Sequence, residues 1–174
     1  RLFSLKNTMG YSLNAFLDYQ RPIDILLHLM VGSEGTLGFL GEITMGLLPV
    51  KKVKATNLLM FASLDQANDS LLELIQQNPA AIELMDRTSL KALAGQELLP
   101  DEVVAVLGEN SAAVIVEFEA DSDEDLDSAQ LEFRKKFASH LVFAGVTDPV
   151  LRNRLWAMRK ILYAIVAKAR PHGT

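Results

Sequence analysis

The stretch Ala112-Ala113-Val114-Ile115-Val116-Glu117-Phe118 gives the strongest strand signal in the chain. Its apolar and β-branched residues form an almost continuous run, which is typical of a strand. Three further strands are predicted on either side of it, at residues 55–62, 80–85 and 140–146. The sequence therefore predicts a sheet of four strands.

Helices are predicted between and after these strands from their end signals. Ser63, with Gln66 three residues later, forms a possible capping box for a helix that runs to about residue 78. A helix over residues 122–139 begins with acidic and ends with basic side chains, as the helix dipole favours. Asp148-Pro149 is a suitable start for a last helix, which runs to about residue 169.

Two weaker helices, at 89–94 and 100–108, lie between the second and third strands. With these treated as an insertion, the element order is β-α-β-β-α-β, the ferredoxin-like split βαβ order. The expected fold class is therefore α+β: an antiparallel four-stranded sheet with the helices near 65–77 and 122–138 on one face. The last helix either adds to that layer or packs elsewhere.

Composition excludes several classes of function. The chain has 174 residues, a hydrophobic fraction of 49% and a net charge of −5 without a basic block, which argues against nucleic acid as a partner. There is no cysteine, and His28, His140 and His172 lack metal-ligand spacing, so no metal site is predicted. No apolar run reaches the roughly 18 residues that span a bilayer.

Residues 1–50 differ from residues 51–174, because they hold most of the glycines and show little regular alternation. A short helix is predicted from Pro22 to residue 31, and a buried strand from Phe39 to Leu48. The run of lysines after Pro49 marks a plausible domain boundary.

A glycine-rich loop, Gly32-Ser33-Glu34-Gly35-Thr36-Leu37-Gly38, joins that helix to that strand. Glycine permits positive φ and close approach of a ligand, and backbone N–H groups in such a loop can bind an anion. The alternative is a tight connection in which the glycines serve only turn geometry. The loop is neither a P-loop nor a dinucleotide-binding fingerprint.

The last helix carries an apolar stripe with one arginine beside it. The stripe recurs at helical spacing and comprises Leu151, Leu155, Met158, Leu162, Ile165 and Val166. Arg159 at its edge must either extend to water, pair with a carboxylate of the protein, or hold an anionic ligand. Trp156 is predicted to lie in the core, with stacking on a ligand as the alternative. Glu109, Glu117 and Glu119 are predicted to face solvent.

Together these segments resemble the FAD-linked oxidases of the vanillyl-alcohol oxidase superfamily. Residues 6–13 (Lys-Asn-Thr-Met-Gly-Tyr-Ser-Leu) and the loop 32–38 look like the end of the FAD-binding domain. Residues 81–86 (Ala-Ile-Glu-Leu-Met-Asp) and 155–160 (Leu-Trp-Ala-Met-Arg-Lys) look like the C-terminal substrate or cap domain. The nearest members would be D-lactate dehydrogenase, glycolate oxidase and D-2-hydroxyglutarate dehydrogenase.

The resemblance implies FAD-dependent oxidation of a small D-2-hydroxy acid to the 2-oxo acid, with hydride passing to the flavin. It implies that Arg159 grips the substrate carboxylate, and that the loop contacts FAD through Gly32, Ser33, Glu34, Gly35 and Thr36. It assigns no catalytic residue to this chain. A threonine that touches substrate in related dehydrogenases is replaced here by Tyr163, which points to a different substrate.

The resemblance also divides the chain into residues 1–50, a remnant of the FAD domain, and residues 51–174, a truncated cap domain. We expect a piece of a longer, cytoplasmic protein, with peripheral association with the membrane as the alternative. Such a piece alone should be inactive and bind FAD weakly or not at all. The expected partners are an electron acceptor, for which an iron–sulfur domain of the same protein is a candidate, and a second copy of the chain in a homo-oligomer. The alternative is a non-catalytic ferredoxin-like module that binds a ligand or regulates.

Overall fold

The computed structural model describes residues 10–169, without the side chains of residue 163 and residues 166–169. Contacts divide the chain into two compact units, of which one ends at Leu48 and the other begins at Pro49. No helix within residues 10–169 is both long and apolar enough to cross a membrane.

In its described part, residues 10–48, the first unit contains two helices, α1 (Ala15–Asp18) and α2 (Pro22–Met30). Proline stands at the first position of α2, where its missing N–H costs no hydrogen bond, so the predicted helix is confirmed. The Tyr19 ring stacks on the His28 ring with a centroid separation of 3.8 Å.

The predicted strand from Phe39 to Leu48 is wrong. These residues have no regular structure, and every residue from 34 to 52 is exposed. A strand needs a neighbour for its backbone hydrogen bonds, and no described segment pairs with this one. An apolar run alone was therefore insufficient evidence for a strand.

Up to residue 169, the last that the structure describes, the second unit contains all four predicted strands and six helices. In chain order these are β1 (Val53–Phe61), α3 (Leu64–Asp69), α4 (Leu71–Gln76), β2 (Ala81–Met85), α5 (Arg87–Ala94), α6 (Asp101–Ala105), β3 (Ala112–Ala120), α7 (Asp123–Lys136), β4 (Leu141–Val146) and α8 (Pro149–Ala169).

The sheet has the order β2-β3-β1-β4, and each neighbouring pair is antiparallel. Strand β3 lies between β1 and β2, which is the split βαβ arrangement that the element order predicted. In the central pair, residues 53–61 of β1 lie opposite residues 112–120 of β3 without a break in register. The predicted α+β fold with its antiparallel sheet is confirmed.

Helices cover both faces of the sheet. Because side chains alternate along a strand, Leu59 and Val114 point to one face while Leu58 and Ile115 point to the other. The first face packs against α3, α4 and α7, through the buried residues Ala67, Leu74, Leu126 and Phe133. The second face packs against α5, α6 and α8, through Leu90, Leu93, Val103, Leu155 and Met158.

The shared layer of α3, α4 and α7 confirms the prediction that the helices near 65–77 and 122–138 lie on one face. Of the two positions that the sequence left open for the last helix, the structure shows the second, because α8 packs on the opposite face together with the insertion between β2 and β3.

The first intervening helix is split where one helix was predicted. Ser63 caps α3 as expected, because its hydroxyl accepts from the Gln66 amide. The helix is interrupted at Ser70, and α4 begins at the next residue. The Ser70 hydroxyl donates to the Gln66 carbonyl at 3.0 Å, and such back-bonding competes with the regular helical ladder.

A buried amide network ties the first face to the edge strand. Asn57 of β1 donates to Gln130 of α7 at 3.1 Å and accepts from the Gly145 amide of β4 at 2.6 Å. Asn57 and Gln130 are fully buried, and their hydrogen bonds offset the cost of that burial. Gly145 has φ +59°, next to the register shifts between β1 and β4.

Replacing Gly145 by alanine should destabilise the chain by about 1–2 kcal/mol, because alanine strongly disfavours positive φ. The added Cβ would also lie 2.0 Å from Nη2 of Arg134, which would have to move. Urea unfolding followed by circular dichroism measures the effect.

Gly95→Ala is the matched control for this prediction. Gly95 has φ −64°, and its added Cβ would meet only an ordinary contact at 3.5 Å, so the variant should be neutral or slightly stabilised. Equal unfolding midpoints for the two variants would show that Gly145 carries no conformational requirement.

Candidate functional site

The glycine-rich loop is a sequence of tight turns in the first unit. Gly32 and Gly35 have φ +83° and +78°, and Glu34 between them has φ +51°. A Cβ on Gly32 would lie 2.9 Å from the Gly10 carbonyl oxygen, so a side chain there would displace backbone. A Cβ on Gly35 would meet nothing within 4 Å. The two glycines are therefore required for different reasons: conformation and space at Gly32, conformation alone at Gly35.

Hydroxyl groups hold the loop together from inside. The Thr36 hydroxyl donates to the Ser33 carbonyl at 2.6 Å, and the Thr36 amide donates to the same oxygen at 3.0 Å. Because the Thr36 hydrogen is already used, the Tyr11 hydroxyl at 2.8 Å must be the donor to Thr36 Oγ1. Ser33 is only 5% exposed, whereas the residues that follow it are exposed. The predicted contact residues 32–36 thus form one turn that these hydrogen bonds stabilise.

This turn borders a shallow cavity of about 210 Å³, lined by Gly10, Tyr11, Gly32, Ser33, Glu34 and Thr36. Within residues 10–169, the backbone amides of Glu34 and Gly35 have no hydrogen-bond acceptor. Two consecutive amide donors at a concave surface are suited to the acceptor oxygen or nitrogen atoms of a ligand. The loop thus presents amide donors beside an open cavity, and its contact with a ligand stays a prediction.

Arg159 lies in the second unit, on the exposed side of α8 next to buried Met158. Its Nε donates to Oε2 of Glu83 at 3.1 Å, and the two side chains are 53% and 33% exposed. Arg159 thus pairs with a carboxylate of the protein, which is one of the three alternatives that the sequence left open. The contact occupies only one edge of the guanidinium, so it leaves the remaining donors for a ligand.

The prediction that Glu117 faces solvent is wrong, because this residue is buried. Its Oε2 accepts from Trp156 Nε1 at 2.7 Å and from Thr56 Oγ1 at 2.9 Å. Trp156 packs against the apolar cluster under α8, as predicted, but it is half-buried and also uses its indole N–H as a donor. Of the other two carboxylates, Glu109 is exposed as predicted, while Glu119 is half-buried and pairs with Lys54.

A second cavity, of about 290 Å³, opens beside this carboxylate. Its lining combines three cationic side chains with the Glu117–Trp156 pair and consists of Lys54, Glu117, Arg152, Asn153, Trp156 and Lys160. The cations are partly used by the protein itself, because Lys54 pairs with Glu119 and Arg152 donates to the Lys54 carbonyl.

The predicted residues thus fall into two groups. Gly32, Ser33, Glu34, Gly35 and Thr36 come together in the first unit, and Arg159 belongs to the second. Sequence reasoning missed the partner Glu83, although it lies inside a quoted motif, because a contact across 76 positions leaves no local pattern. Among the described residues, no three His, Asp or Glu side chains are grouped as a metal ion would require.

The comparisons with known proteins agree with this architecture. Residues 50–174 match the family described as FAD linked oxidases, C-terminal domain. A D-lactate dehydrogenase from Anaerostipes hadrus is 29% identical over 149 residues, covering 79% of this chain and 30% of that protein. Glycolate oxidase subunit GlcD from Escherichia coli (strain K12) is 30% identical over 152 residues, covering 84% of this chain and 29% of that protein.

A solved structure of alkyldihydroxyacetonephosphate synthase aligns with a TM-score of 0.54 at 18% identity, covering 80% of this chain and 28% of that chain. At this identity the likeness concerns the fold alone. The chain thus spans about 30% of the length of the curated relatives it matches. Since the family match covers residues 50–174, well over half of the sequence, the chain belongs to the FAD-linked oxidases.

Proposed function

We propose that this chain is part of a flavin-dependent dehydrogenase that oxidises a small D-2-hydroxy acid to the 2-oxo acid. Two relatives support the substrate class through their names, which refer to lactate and glycolate, both small 2-hydroxy acids. The observation that carries the proposal is Arg159, a half-exposed guanidinium on a helix fixed by buried neighbours. Its planar fork matches a carboxylate, the group that all 2-hydroxy acids share.

In this proposal Arg159 binds the substrate carboxylate and thereby fixes the position of the carbon that bears the hydroxyl group. Leu155 and Met158, both at most 1% exposed, anchor α8 to the sheet, so that the arginine projects from a rigid element. An arginine held in this way binds the acid with less loss of side-chain freedom than one on a mobile loop.

FAD, the cofactor of the family, supplies the two-electron acceptor for the reaction when bound. Two observations support contact between this cofactor and the loop residues Gly32, Ser33, Glu34, Gly35 and Thr36. The amides of Glu34 and Gly35 have no acceptor within residues 10–169, and the adjoining cavity borders glycines whose backbone a ligand can approach. The electrons would then leave for a separate acceptor, such as an iron–sulfur domain of the same protein.

Anaerobic reduction of the full-length flavoprotein tests the proposal. A D-2-hydroxy acid such as D-lactate should bleach the visible flavin absorbance, while its L enantiomer should be much slower. A panel of glycolate, lactate and longer 2-hydroxy acids would identify the preferred side chain. A flavin that dithionite reduces but that no 2-hydroxy acid in the panel reduces would refute the proposed substrate class.

A further inference from the structure

Glu83 of β2 is the protein group that holds Arg159. It lies on the sheet face that α8 covers, because Met85, two positions further along β2, belongs to the apolar cluster under that helix. The β2 backbone is fixed by pairing with β3, where Glu83 lies opposite Ile115. A rigid strand and a rigid helix therefore bring this carboxylate and this guanidinium together.

The contact uses one particular edge of the arginine. Glu83 Oε2 lies 3.1 Å from Nε, and among the side chains that the structure describes, which exclude those of residues 163 and 166–169, neither Nη1 nor Nη2 has a hydrogen-bond partner. A guanidinium is planar, so fixing Nε fixes the direction in which both terminal NH₂ groups point. The free end of the fork is the edge that can bind a carboxylate through two parallel hydrogen bonds.

We propose that Glu83 is a positioning residue, which orients the Arg159 guanidinium so that its Nη1–Nη2 edge receives the substrate carboxylate. This inference rests on the proposed function and assigns to Glu83 a role in substrate affinity. Two other roles make different predictions. If Glu83 only forms a surface ion pair with Arg159, it contributes little to stability and does not affect substrate binding. If Glu83 competes with the substrate for Arg159, it weakens binding because its negative charge repels the acid.

Two variants of Glu83 separate these roles in the full-length flavoprotein. Glu83→Gln keeps the length and the acceptor oxygen but removes the charge, and Glu83→Asp keeps the charge but shortens the reach by one methylene. Both conserve polarity at a partly exposed position, so the fold should persist. The measurements are KM and kcat with the best 2-hydroxy acid, and the Kd of oxalate by calorimetry. Oxalate is a suitable probe because it presents carboxylates but has no C–H bond, so the enzyme cannot oxidise it by hydride transfer.

For a positioning role, Glu83→Asp should raise both KM and the oxalate Kd about threefold to tenfold, the range expected when a long side chain must be ordered on binding. Its kcat should change less than twofold, and Glu83→Gln should stay within twofold on all measures. In the Arg159→Ala background, Glu83→Asp should have no further effect, because the two residues act as a unit.

The matched control is Glu73→Asp, which alters a comparable ion pair, that of Glu73 with Lys136 at 3.3 Å. It should change none of the three constants. Unchanged KM and Kd in Glu83→Asp, with Arg159→Ala strongly impaired, would overturn the positioning role and leave the proposed function intact. Tighter oxalate binding by Glu83→Gln would identify a competitor instead. If Arg159→Ala has no effect either, the proposed function fails together with this inference.

Discussion

Replacing Arg159 by alanine in the full-length flavoprotein should lower kcat/KM for the 2-hydroxy acid by roughly 30- to 1000-fold. A charge-assisted bidentate bond in a partly desolvated site contributes about 2–4 kcal/mol, and each 1.4 kcal/mol is about tenfold in rate. Arg159→Lys should recover only part of the loss, because an ammonium group cannot form the planar fork. Steady-state kinetics with the panel of 2-hydroxy acids measures both variants.

Stability and flavin content should change little in Arg159→Ala, because the side chain is 53% exposed and its pair with Glu83 is a surface ion pair. The matched control is Arg154→Ala, on the same helix and also exposed, which should leave kcat/KM unchanged. Activity within about threefold of wild type, under about 0.7 kcal/mol, would exclude Arg159 as the anchor of the substrate. A loss of activity that parallels a loss of folded protein would favour a purely structural ion pair.

Much of the cap-domain fold could be predicted because its signals are local. The strand at 112–118 shows a nearly continuous apolar run, and the helix over 122–139 shows a serine cap with oppositely charged ends. Each signal depends on neighbouring residues, and the β-α-β-β-α-β order then leaves few sheet topologies. The same reasoning failed at Phe39–Leu48, because an apolar run specifies a strand only if another strand pairs with it.

Side-chain partners were not predictable, because they are distant in sequence and leave no pattern among neighbouring residues. Glu117 followed two apolar neighbours in a strand, and nothing near it in sequence indicated donors. Its partner Thr56 lies 61 positions away and meets it through the pairing of β1 with β3. Its partner Trp156 lies 39 positions away and meets it through the packing of α8 on the sheet. The pairing of Glu83 with Arg159 likewise spans 76 positions. The residue types of the candidate site could thus be read from motifs, but their hydrogen bonds required the fold.

Replacing Gly32 by alanine in the full-length protein should weaken FAD binding about 10- to 100-fold, because the variant adds two costs. Positive φ costs alanine about 1–2 kcal/mol, and the new Cβ would lie 2.9 Å from the Gly10 carbonyl oxygen. Without cofactor the loop can relax to relieve both, whereas binding requires the original turn to re-form. Fluorescence titration of the flavin-free protein with FAD measures the affinity directly, without reference to activity.

Two other glycines divide this effect into its parts. Gly35→Ala shares the positive φ but has open space around its Cβ, so it should lose up to about tenfold in affinity from conformation alone. Gly41→Ala, with neither a positive φ nor a neighbour within 4 Å, should bind FAD as wild type does. Equal losses in Gly32→Ala and Gly35→Ala would remove the close approach to Gly10 from the explanation. Affinity within twofold of wild type in both would mean that the loop does not hold the cofactor, because a contact loop cannot lose its turn geometry without weakening the ligand it binds.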